Sequence, residues 1–248
     1  MDSRLAGYLD EFTRRDWQTL APGDVDDPVR VAVVGLGWFA REWALPGIAR
    51  SAFTEATVVT DIDPDAVASV AAGRDVRGVT PETFRNGEVA DAYDAVYVAT
   101  PNATHLEYVD AAADQGKAVL CEKPVESTVD RARRLVAACD DAGVPLMVGY
   151  RMQTDPAARR LRDLVDAGVA GDVRHVHATM SQTMLGELGS DFDQWRLDPE
   201  LSGGCALMDI GIYPLNAIRL PLSVALIQVS RVTCPHQNGF AEVAELVR

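Results

Sequence analysis

Between residues 29 and 150, short apolar runs alternate with longer amphipathic segments. The first run, "VRVAVV" at 29–34, is typical of a strand that is covered on both faces. Further strands are expected at 56–61, 94–100, 117–122 and 144–150, and helices at 63–73, 103–115 and 127–142. Because strands and helices alternate regularly, the pattern predicts an α/β fold with a doubly wound parallel sheet and helices on both of its faces.

The pattern changes after residue 150. "DPAARRLRDLVDAG" at 155–168 predicts an amphipathic helix that ends at a glycine, and "DVRHVHATMSQTM" at 172–184 alternates as a half-exposed strand does. These segments predict an incomplete second α/β domain with a mainly antiparallel sheet. We therefore expect four parts, which are an N-terminal extension (1–28), the parallel α/β domain (29–150), the partial second domain (151–219) and a tail (220–248).

The tail differs from the rest of the chain in charge. Residues 220–248 carry two acids and two bases, whereas the first 219 residues carry 35 acids and 21 bases and hence the whole net charge of −14. One interpretation is that the tail was translated from a different reading frame. The other is that it is a neutral segment packed on the core. Composition leaves both open.

Composition narrows the classes of partner. The 248 residues are 48% hydrophobic, which is enough for a substantial core, and the net charge of −14 disfavours nucleic acid and anionic membranes as partners. The excess of acids and the scarcity of lysine favour a high-salt cytoplasm, together with a GC-rich genome. No apolar run approaches the ~20 residues of a membrane helix, and the N-terminus lacks the apolar centre of a signal peptide, so we expect a cytoplasmic protein.

The cysteines and histidines do not indicate a metal site. Four cysteines are widely spaced, with no C-x-x-C pair, so neither a disulfide framework nor a zinc site is expected. His175 and His177 alternate onto one side of the strand predicted at 172–184, but no further ligands accompany them.

A glycine-rich turn follows the first predicted strand. In "VRVAVVGLGWFAREW", Gly35, Gly37 and Ala40 form G-x-G-x-x-A at the junction of strand and helix. Gly35 permits the tight turn, Gly37 lets the backbone approach a pyrophosphate, and Ala40 lets the helix pack against the strand. The setting favours a dinucleotide site on a Rossmann fold, with Trp38 and Phe39 beside the cofactor, over a glycine turn that binds nothing.

An acid at the end of the second strand bears on which dinucleotide is bound. Asp61 or Asp63 is suited to accept hydrogen bonds from the adenosine ribose and to repel a 2′-phosphate. No cation stands among its neighbours, so NAD is slightly favoured over NADP. Thr100 and Asn102 follow the strand at 94–100 and are suited to hydrogen-bond the dinucleotide, although Asn102 is equally suited to cap the next helix.

Lys123 is one of only two lysines in the chain and stands between Glu122 and Pro124. It follows the apolar run at 117–122, which places it at the carboxyl end of a strand, on the same edge of the sheet as the glycine turn. An ammonium at that edge can polarise a substrate hydroxyl beside a nicotinamide. The sequence therefore predicts Lys123 as a catalytic residue.

Five motifs in order resemble the Gfo/Idh/MocA oxidoreductase family. They are G-x-G-x-x-A, "CEKP", "GYRMQTDP" (149–156), "QWRLDPELSGG" (194–204) and "ALMDIGIYPLN" (206–216). The likeness extends from about residue 10 to 219, and it is greatest to the branch of glucose–fructose oxidoreductase and dihydrodiol dehydrogenase, which includes haloarchaeal D-xylose dehydrogenases. It implies a Rossmann domain followed by an α/β domain whose open sheet mediates homo-oligomerisation. The resemblance ends near Leu220, so the part that supplies one wall of the sugar pocket and the oligomer interface is expected to be missing.

The resemblance also implies roles for individual residues. Lys123 would contact nicotinamide and substrate, Tyr213 would be the acid/base in place of the histidine of many members, and Asp209 would hold the substrate. A spacing of four residues puts Asp209 and Tyr213 on one helix face. The other cofactor contacts implied are Pro101, His105 and Glu122, and the substrate contacts are Tyr150, Arg151, Trp195 and Arg196. For Trp195 and Arg196, the alternative that they only pack within their loop is equally compatible with the sequence.

Three functions fit these residues. The first is an NAD(P)-dependent aldose 1-dehydrogenase, in which Tyr213 takes the proton of the C1 hydroxyl of a sugar such as D-xylose or D-glucose while a hydride passes to the nicotinamide. The second is an inactive dinucleotide-binding remnant. The third is a dehydrogenase of an inositol or a trans-diol.

Overall fold

Six parallel strands form one sheet in the structure, a computed structural model. It describes residues 25–169, 171–173, 176, 178–180, 194–204 and 206–222, with residues 6, 7, 10, 21 and 23 ahead of them. The strands are β1 (Val29–Val34), β2 (Thr54–Thr60), β3 (Arg77–Val79), β4 (Ala95–Val98), β5 (Ala118–Cys121) and β6 (Leu146–Val148). Their order is β3-β2-β1-β4-β5-β6, which is the doubly wound Rossmann order. The predicted α/β fold is therefore confirmed.

Helices connect these strands and continue beyond them. They are α1 (Leu45–Arg50), α2 (Pro64–Gly73), α3 (Pro81–Arg85), α4 (His105–Asp114), α5 (Val129–Ala142), α6 (Pro156–Asp166), α7 (Pro199–Ser202) and α8 (Ile212–Leu222). π-helical segments at Ala40–Ala44 and Leu207–Gly211 precede α1 and α8. Short 3₁₀ turns lie at Ala90–Ala92, Asn102–Thr104, Arg151–Gln153 and Trp195–Leu197. No described helix combines the length and the apolar character needed to cross a bilayer.

Side chains of β1 alternate between two apolar clusters, one on each face of the sheet. Ala32 and Val34 are in the cluster that includes residues of α4 and α5, whereas Val31 and Val33 are in the cluster that includes Ala40 and Leu45. All four are at most 8% exposed. Both faces of the strand are covered, which is why the run "VAVV" is apolar without alternation.

Caps explain where several helices begin and end. The carboxylate of Asp63 accepts from the N–H of Asp65 at the start of α2, and the Thr128 hydroxyl accepts from the N–H of Arg131 at the start of α5. Gly143 ends α5 at φ 67°, a left-handed conformation that glycine adopts at little cost. These local signals are why the bounds of both helices follow from the sequence within a residue or two.

Other segments differ from the sequence pattern or lie outside the described residues. The pattern does not reveal β3 and α3, because they are only three and five residues long. Within 172–184, none of the described residues is in a strand, and the remainder of that segment, including His175 and His177, lies outside the described residues. Most of the N-terminal extension and residues 223–248 of the tail also lie outside them.

The described residues fall into two compact units. The first contains the described residues of 20–149 together with 198–203, and the second contains those of 1–19, 150–197 and 204–248. The segment 198–203 thus packs with the parallel sheet, although the sequence pattern assigns it to the second domain. Asn102 Nδ2 donates to the Ser202 carbonyl at 2.8 Å, and Gly203, at φ 74°, lies so close to the Ser127 backbone that no Cβ would fit.

A buried ion pair holds the loop between β5 and α5. The side chain of Glu126 is fully buried and lies 2.9 Å from the guanidinium of Arg131, which is 32% exposed. Arg131 also donates to the Ala103 carbonyl at 2.6 Å, which ties this loop to the one that follows β4. Burial alone would raise the pKa of Glu126, but hydrogen bonds from Arg131 and Ser127 outweigh it, so the pKa lies below its ordinary value of 4.5.

We expect Arg131→Leu to lower the free energy of unfolding by about 3 kcal/mol, because it leaves the Glu126 carboxylate buried without its cation. Since the pKa of Glu126 is lowered in the folded state, the pair stabilises the fold above pH 4.5 and loses its effect as pH falls through the folded value. Urea unfolding followed by circular dichroism, at fixed salt and at several pH values, measures both effects.

The matched control is Arg133→Leu on the same helix. The Arg133–Asp130 pair is 76% and 91% exposed, so its loss should change stability by less than about 0.5 kcal/mol. If both variants lost the same free energy of unfolding, the buried Glu126–Arg131 pair would stabilise the fold no more than an exposed pair does.

Candidate active site

Gly35 forms the turn that follows β1. Its φ is +90°, its N–H donates to the Thr60 carbonyl at 2.9 Å, and a Cβ at this position would lie 2.7 Å from the Ala99 carbonyl oxygen. The turn therefore packs directly against the backbone at the carboxyl ends of β2 and β4, and only glycine fits there. This is the edge at which the strand order reverses, where ligands bind in open α/β sheets.

Gly37, in contrast, faces open space. A Cβ on Gly37 would have no atom within 4 Å, while Ala40 three residues later is buried at 1% exposure. Trp38 is 64% and Phe39 is 39% exposed, so both predicted cofactor neighbours lie at the surface of this turn. An open backbone followed by a helix fits the approach of a pyrophosphate to its free N–H groups.

Asp61 is tied to the glycine turn. One carboxylate oxygen accepts from the N–H of Leu36 at 2.5 Å, and the other accepts from the N–H of Asp63 at 2.9 Å. Asp63 instead caps α2, so Asp61 is the acid of the two that faces the turn. Because both of its oxygens already accept backbone hydrogen bonds, Asp61 stabilises the turn whatever it contributes to ribose binding.

Two buried hydroxyls at this edge have no hydrogen-bond partner among the described residues. They are Thr60 Oγ1 at the end of β2 and Thr100 Oγ1 after β4. Buried polar atoms are usually paired, so these two hydroxyls are candidates to pair with a ligand bound at this edge. Thr100 was predicted to contact the dinucleotide, and Pro101 next to it is half-buried; Thr60 was not predicted, because a threonine inside an apolar strand gives no signal of this kind.

His105 and Asn102 do not reach the cleft. His105 has 0% exposure, and its ring nitrogens lie 2.9 Å from the Thr100 carbonyl and 3.2 Å from that of Val125. Burial lowers the pKa of this imidazole, so the ring is neutral at neutral pH and donates one N–H. The contact of His105 with the cofactor stays a prediction, which the burial of the ring does not favour. The ring lies between the carbonyls of the loop after β4 and of the loop that follows Lys123 and donates to one of them.

Asn102 is 3% exposed, and its amide donates to Ser202 within the same unit. Thr104 stands at the N-cap position of α4 without a side-chain capping bond, so the alternative role of Asn102 as the cap is not observed. A long-range bond of this kind cannot be seen in the sequence, because its partner lies 100 residues away.

Glu122 and Lys123 follow β5 at the carboxyl edge of the sheet. Glu122 accepts from the Tyr97 hydroxyl at 2.7 Å and from the N–H of Lys123 at 3.1 Å. A Cβ on Gly149 would lie 2.9 Å from this carboxylate, so glycine leaves the space that Glu122 occupies. The sequence pattern did not single out Tyr97 and Gly149, which hold the residue beside the predicted catalytic lysine.

The second unit brings together the residues predicted to bind substrate. Asp209 lies in the π-helical segment and Tyr213 in α8, one turn later. The guanidinium of Arg196 lies 3.4 Å from the Asp209 carboxylate and 4.5 Å from the centroid of the Trp195 ring. The guanidinium of Arg151 lies 5.4 Å from the centroid of the Tyr213 ring, and Tyr150 beside it is half-buried.

Lys123 belongs to the first unit, and Asp209 and Tyr213 belong to the second. Their convergence on one substrate therefore stays a prediction. The described residues contain no group of three or more histidine, cysteine, aspartate or glutamate side chains arranged to hold a metal ion.

Comparison with known families matches both parts of the chain. The model described as the oxidoreductase family with an NAD-binding Rossmann fold matches residues 29–150, and that of the GFO/IDH/MocA C-terminal domain matches 158–243. The chain belongs to the Gfo/Idh/MocA oxidoreductase family. The second match continues beyond Leu220, where the resemblance seen in the sequence ends.

Similar members of the family include two haloarchaeal proteins. The chain is 48% identical over 236 residues to D-xylose 1-dehydrogenase [NADP(+)] of Haloarcula marismortui, with 94% of this chain and 65% of that protein covered. It is 40% identical over 130 residues to D-xylose 1-dehydrogenase (NADP(+)) 2 of Haloferax volcanii, with 52% and 38% covered. The chain thus spans about two thirds or less of their length. Both names state NADP(+), so they do not support the expected preference for NAD.

Solved structures of the family share the fold. The aldose-aldose oxidoreductase of Caulobacter crescentus, complexed with glycerol, matches with a TM-score of 0.69 and 32% identity, over 79% of this chain and 58% of that one. The 3-ketoreductase of Actinomadura kijaniata, in complex with NADP and TDP-benzene, matches with a TM-score of 0.65 and 30% identity over the same shares.

We expect Gly35→Ala to lower the free energy of unfolding by about 3 kcal/mol, because it forces a side chain into a left-handed conformation and against the Ala99 carbonyl. Gly37→Ala is the control, since its Cβ meets nothing, and stability should stay within about 0.5 kcal/mol. Chemical unfolding of both variants measures the difference. Similar stability of the two variants would contradict the packing described for the turn.

Proposed function

We propose that this chain is the catalytic part of an NADP-dependent sugar oxidoreductase that oxidises C1 of an aldose of the D-xylose or D-glucose type. The observation that carries the proposal is the pairing of Asp209 with Tyr213 one helical turn away, in a chain whose Rossmann sheet presents Lys123 at its carboxyl edge. The identity of 48% to a D-xylose 1-dehydrogenase supports the substrate class.

The first unit has the features that a dinucleotide needs. The open backbone at Gly37 and the unpartnered Thr100 hydroxyl fit a pyrophosphate and ribose at the edge where the strand order reverses. When bound, the nicotinamide supplies the acceptor for the hydride. Lys123 stands at the same edge, where its ammonium would orient the C1 hydroxyl and favour loss of its proton.

The second unit has the proton acceptor. In this proposal the Tyr213 oxygen accepts the proton of the sugar C1 hydroxyl as the C1 hydride leaves, and the carbon becomes the carbonyl of a lactone. Asp209, held by Arg196, would accept hydrogen bonds from a sugar hydroxyl. Trp195, with Arg196 stacked on its ring, provides an apolar face of the kind on which sugar C–H groups pack.

NADP replaces NAD as the proposed coenzyme. The names of both haloarchaeal relatives state NADP(+). The carboxylate of Asp61 accepts from the backbone N–H groups of Leu36 and Asp63, so it has a role in the turn that is the same for either coenzyme.

We expect the chain to reduce NADP with D-xylose or D-glucose, and Lys123→Met and Tyr213→Phe each to lower kcat by about 10²–10⁴-fold, because each removes a group that assists proton transfer. Turnover is followed by the absorbance of reduced nicotinamide with a panel of aldoses, inositols and trans-diols, and coenzyme affinity by fluorescence titration.

Tyr213→Phe should bind NADP as the unaltered chain does, within about threefold, since Tyr213 is not among the predicted coenzyme contacts and the glycine turn stays intact. Lys123→Met should bind NADP more weakly, since Lys123 is predicted to contact the nicotinamide. Coenzyme binding without turnover on any compound would support the inactive remnant instead. Turnover confined to inositols or trans-diols would support the third function.

We expect Asp61→Ala to weaken NAD and NADP alike, by about tenfold, because the Leu36 N–H loses a charged acceptor and the glycine turn loses its anchor. Asp63→Ala is the control, since it removes a helix cap and leaves the turn intact. Calorimetric titration of each variant with both coenzymes measures the affinities. Tighter binding of NADP alone in Asp61→Ala would show that charge repulsion is the main role of this carboxylate.

A further inference from the structure

Glu122 is the first residue after β5, and backbone hydrogen bonds to both neighbouring strands surround it. Its N–H donates to the Val98 carbonyl of β4 at 2.9 Å, and the Cys121 carbonyl before it accepts from the N–H of Gly149 at 2.7 Å. The bonds between the strands therefore continue to the position directly before Lys123. Because side chains alternate along a strand, the Glu122 side chain is on the face of the sheet opposite to that of Cys121.

Tyr97 of β4 and Gly149 after β6 flank the Glu122 carboxylate on that face. Tyr97 is 5% exposed, and its hydroxyl donates to Glu122 Oε1 at 2.7 Å. The same oxygen lies 2.9 Å from the place that a Cβ on Gly149 would occupy. The carboxylate is thus held by a buried donor from one side, and it has room on the other side only because residue 149 lacks a side chain.

The second oxygen of the carboxylate reaches the backbone of Lys123. Glu122 Oε2 accepts from the N–H of Lys123 at 3.1 Å, so the side chain bonds to the next residue of its own chain. A bond to an ionised acceptor is stronger than one to a neutral acceptor. The contacts from the Tyr97 hydroxyl through the carboxylate to this N–H therefore fix the main chain from which the lysine side chain extends.

We propose that Glu122 is a positioning residue for Lys123, which acts through the backbone N–H of that lysine and not as the coenzyme contact that the resemblance implies. Both carboxylate oxygens already accept hydrogen bonds within the first unit, one from a buried phenol and one from the chain itself. Tyr97 supports this role as a donor, and Gly149 supports it by leaving space. The inference rests on Lys123 being the catalytic lysine of the proposed function.

The first readout uses the fact that the chain has only two lysines, Lys117 and Lys123. Labelling with ¹⁵N-lysine gives one backbone amide signal from each, and Lys123→Met assigns them. We expect Tyr97→Phe and Gly149→Ala each to shift the Lys123 signal and to speed its hydrogen exchange about tenfold, since the carboxylate loses its donor or is displaced by the new Cβ. The Lys117 signal should stay in place, because its N–H donates to the Ala112 carbonyl of α4.

Kinetics provide the second readout. We expect kcat to fall about tenfold in Tyr97→Phe and in Gly149→Ala, because a displaced catalytic group aligns poorly with the substrate, while the affinity for NADP stays within about threefold. In a Lys123→Met background, Tyr97→Phe should change kcat by less than about twofold. A residue that acts only through the Lys123 side chain has nothing to position once that side chain is replaced.

The matched control is Tyr93→Phe. Tyr93 is fully buried, and its hydroxyl donates to the Gln115 side chain. This variant also loses one buried tyrosine hydrogen bond, so its urea midpoint should fall about as much as that of Tyr97→Phe. Its kcat and its Lys123 amide signal should not change, which separates positioning from a general loss of stability.

The outcomes separate this inference from the proposed function. An unchanged Lys123 amide signal in Tyr97→Phe and Gly149→Ala would overturn the inference even in a chain that oxidises aldoses. So would a loss of NADP affinity at unchanged kcat, or a kcat loss that adds fully to that of Lys123→Met. A shifted signal in a chain that turns over no sugar would support the contacts that fix Lys123 and reject the proposed function.

Discussion

The contact between the Gly35 turn and the backbone at Ala99 is the constraint on which the candidate coenzyme site depends. It joins the carboxyl ends of β1 and β4, the two strands between which the strand order reverses. A side chain at position 35 would separate them, whereas one at position 37 would enter the open cleft. The two glycines are thus required for different reasons. Gly35 is required by packing, and Gly37 by the space that a ligand would need.

Around this contact, polar and charged side chains hold the loops that line the cleft. His105 is buried between the loop after β4 and the loop after Lys123, Arg131 joins Glu126 to Ala103, and Asp61 anchors Leu36. Each is a polar or charged group with backbone partners on a different loop. Such bonds are worth most when buried, because an unmade bond there leaves a polar group without water. They explain how a cleft can keep its geometry although its walls are loops.

Local signals predicted the fold well and the roles of polar residues less well. Apolar runs and helix caps such as Asp63 and Thr128 depend on neighbours within a few residues, so strands and helices followed from the sequence. The sequence did not reveal β3, because a strand of three residues is too short to show a recognisable alternation of apolar and polar positions. His105 and Asn102 stand in a motif beside the cofactor edge, yet their side chains bond to Val125 and Ser202, and no local pattern predicts partners so distant.

The alternation of strands and helices, the glycine turn and the resemblance to the family were all readable in the sequence, because they depend on short-range periodicity and on short motifs. The order of the strands in the sheet came from the structure. The burial of each polar residue and the direction of its side chain are seen only in the folded chain. The tertiary structure also placed Arg151 over Tyr213 and Arg196 beside Asp209, contacts between segments 62 and 13 residues apart in the chain. Contacts between residues so far apart in the chain are set by the packing of whole helices. The pattern of residues along the sequence does not predict them.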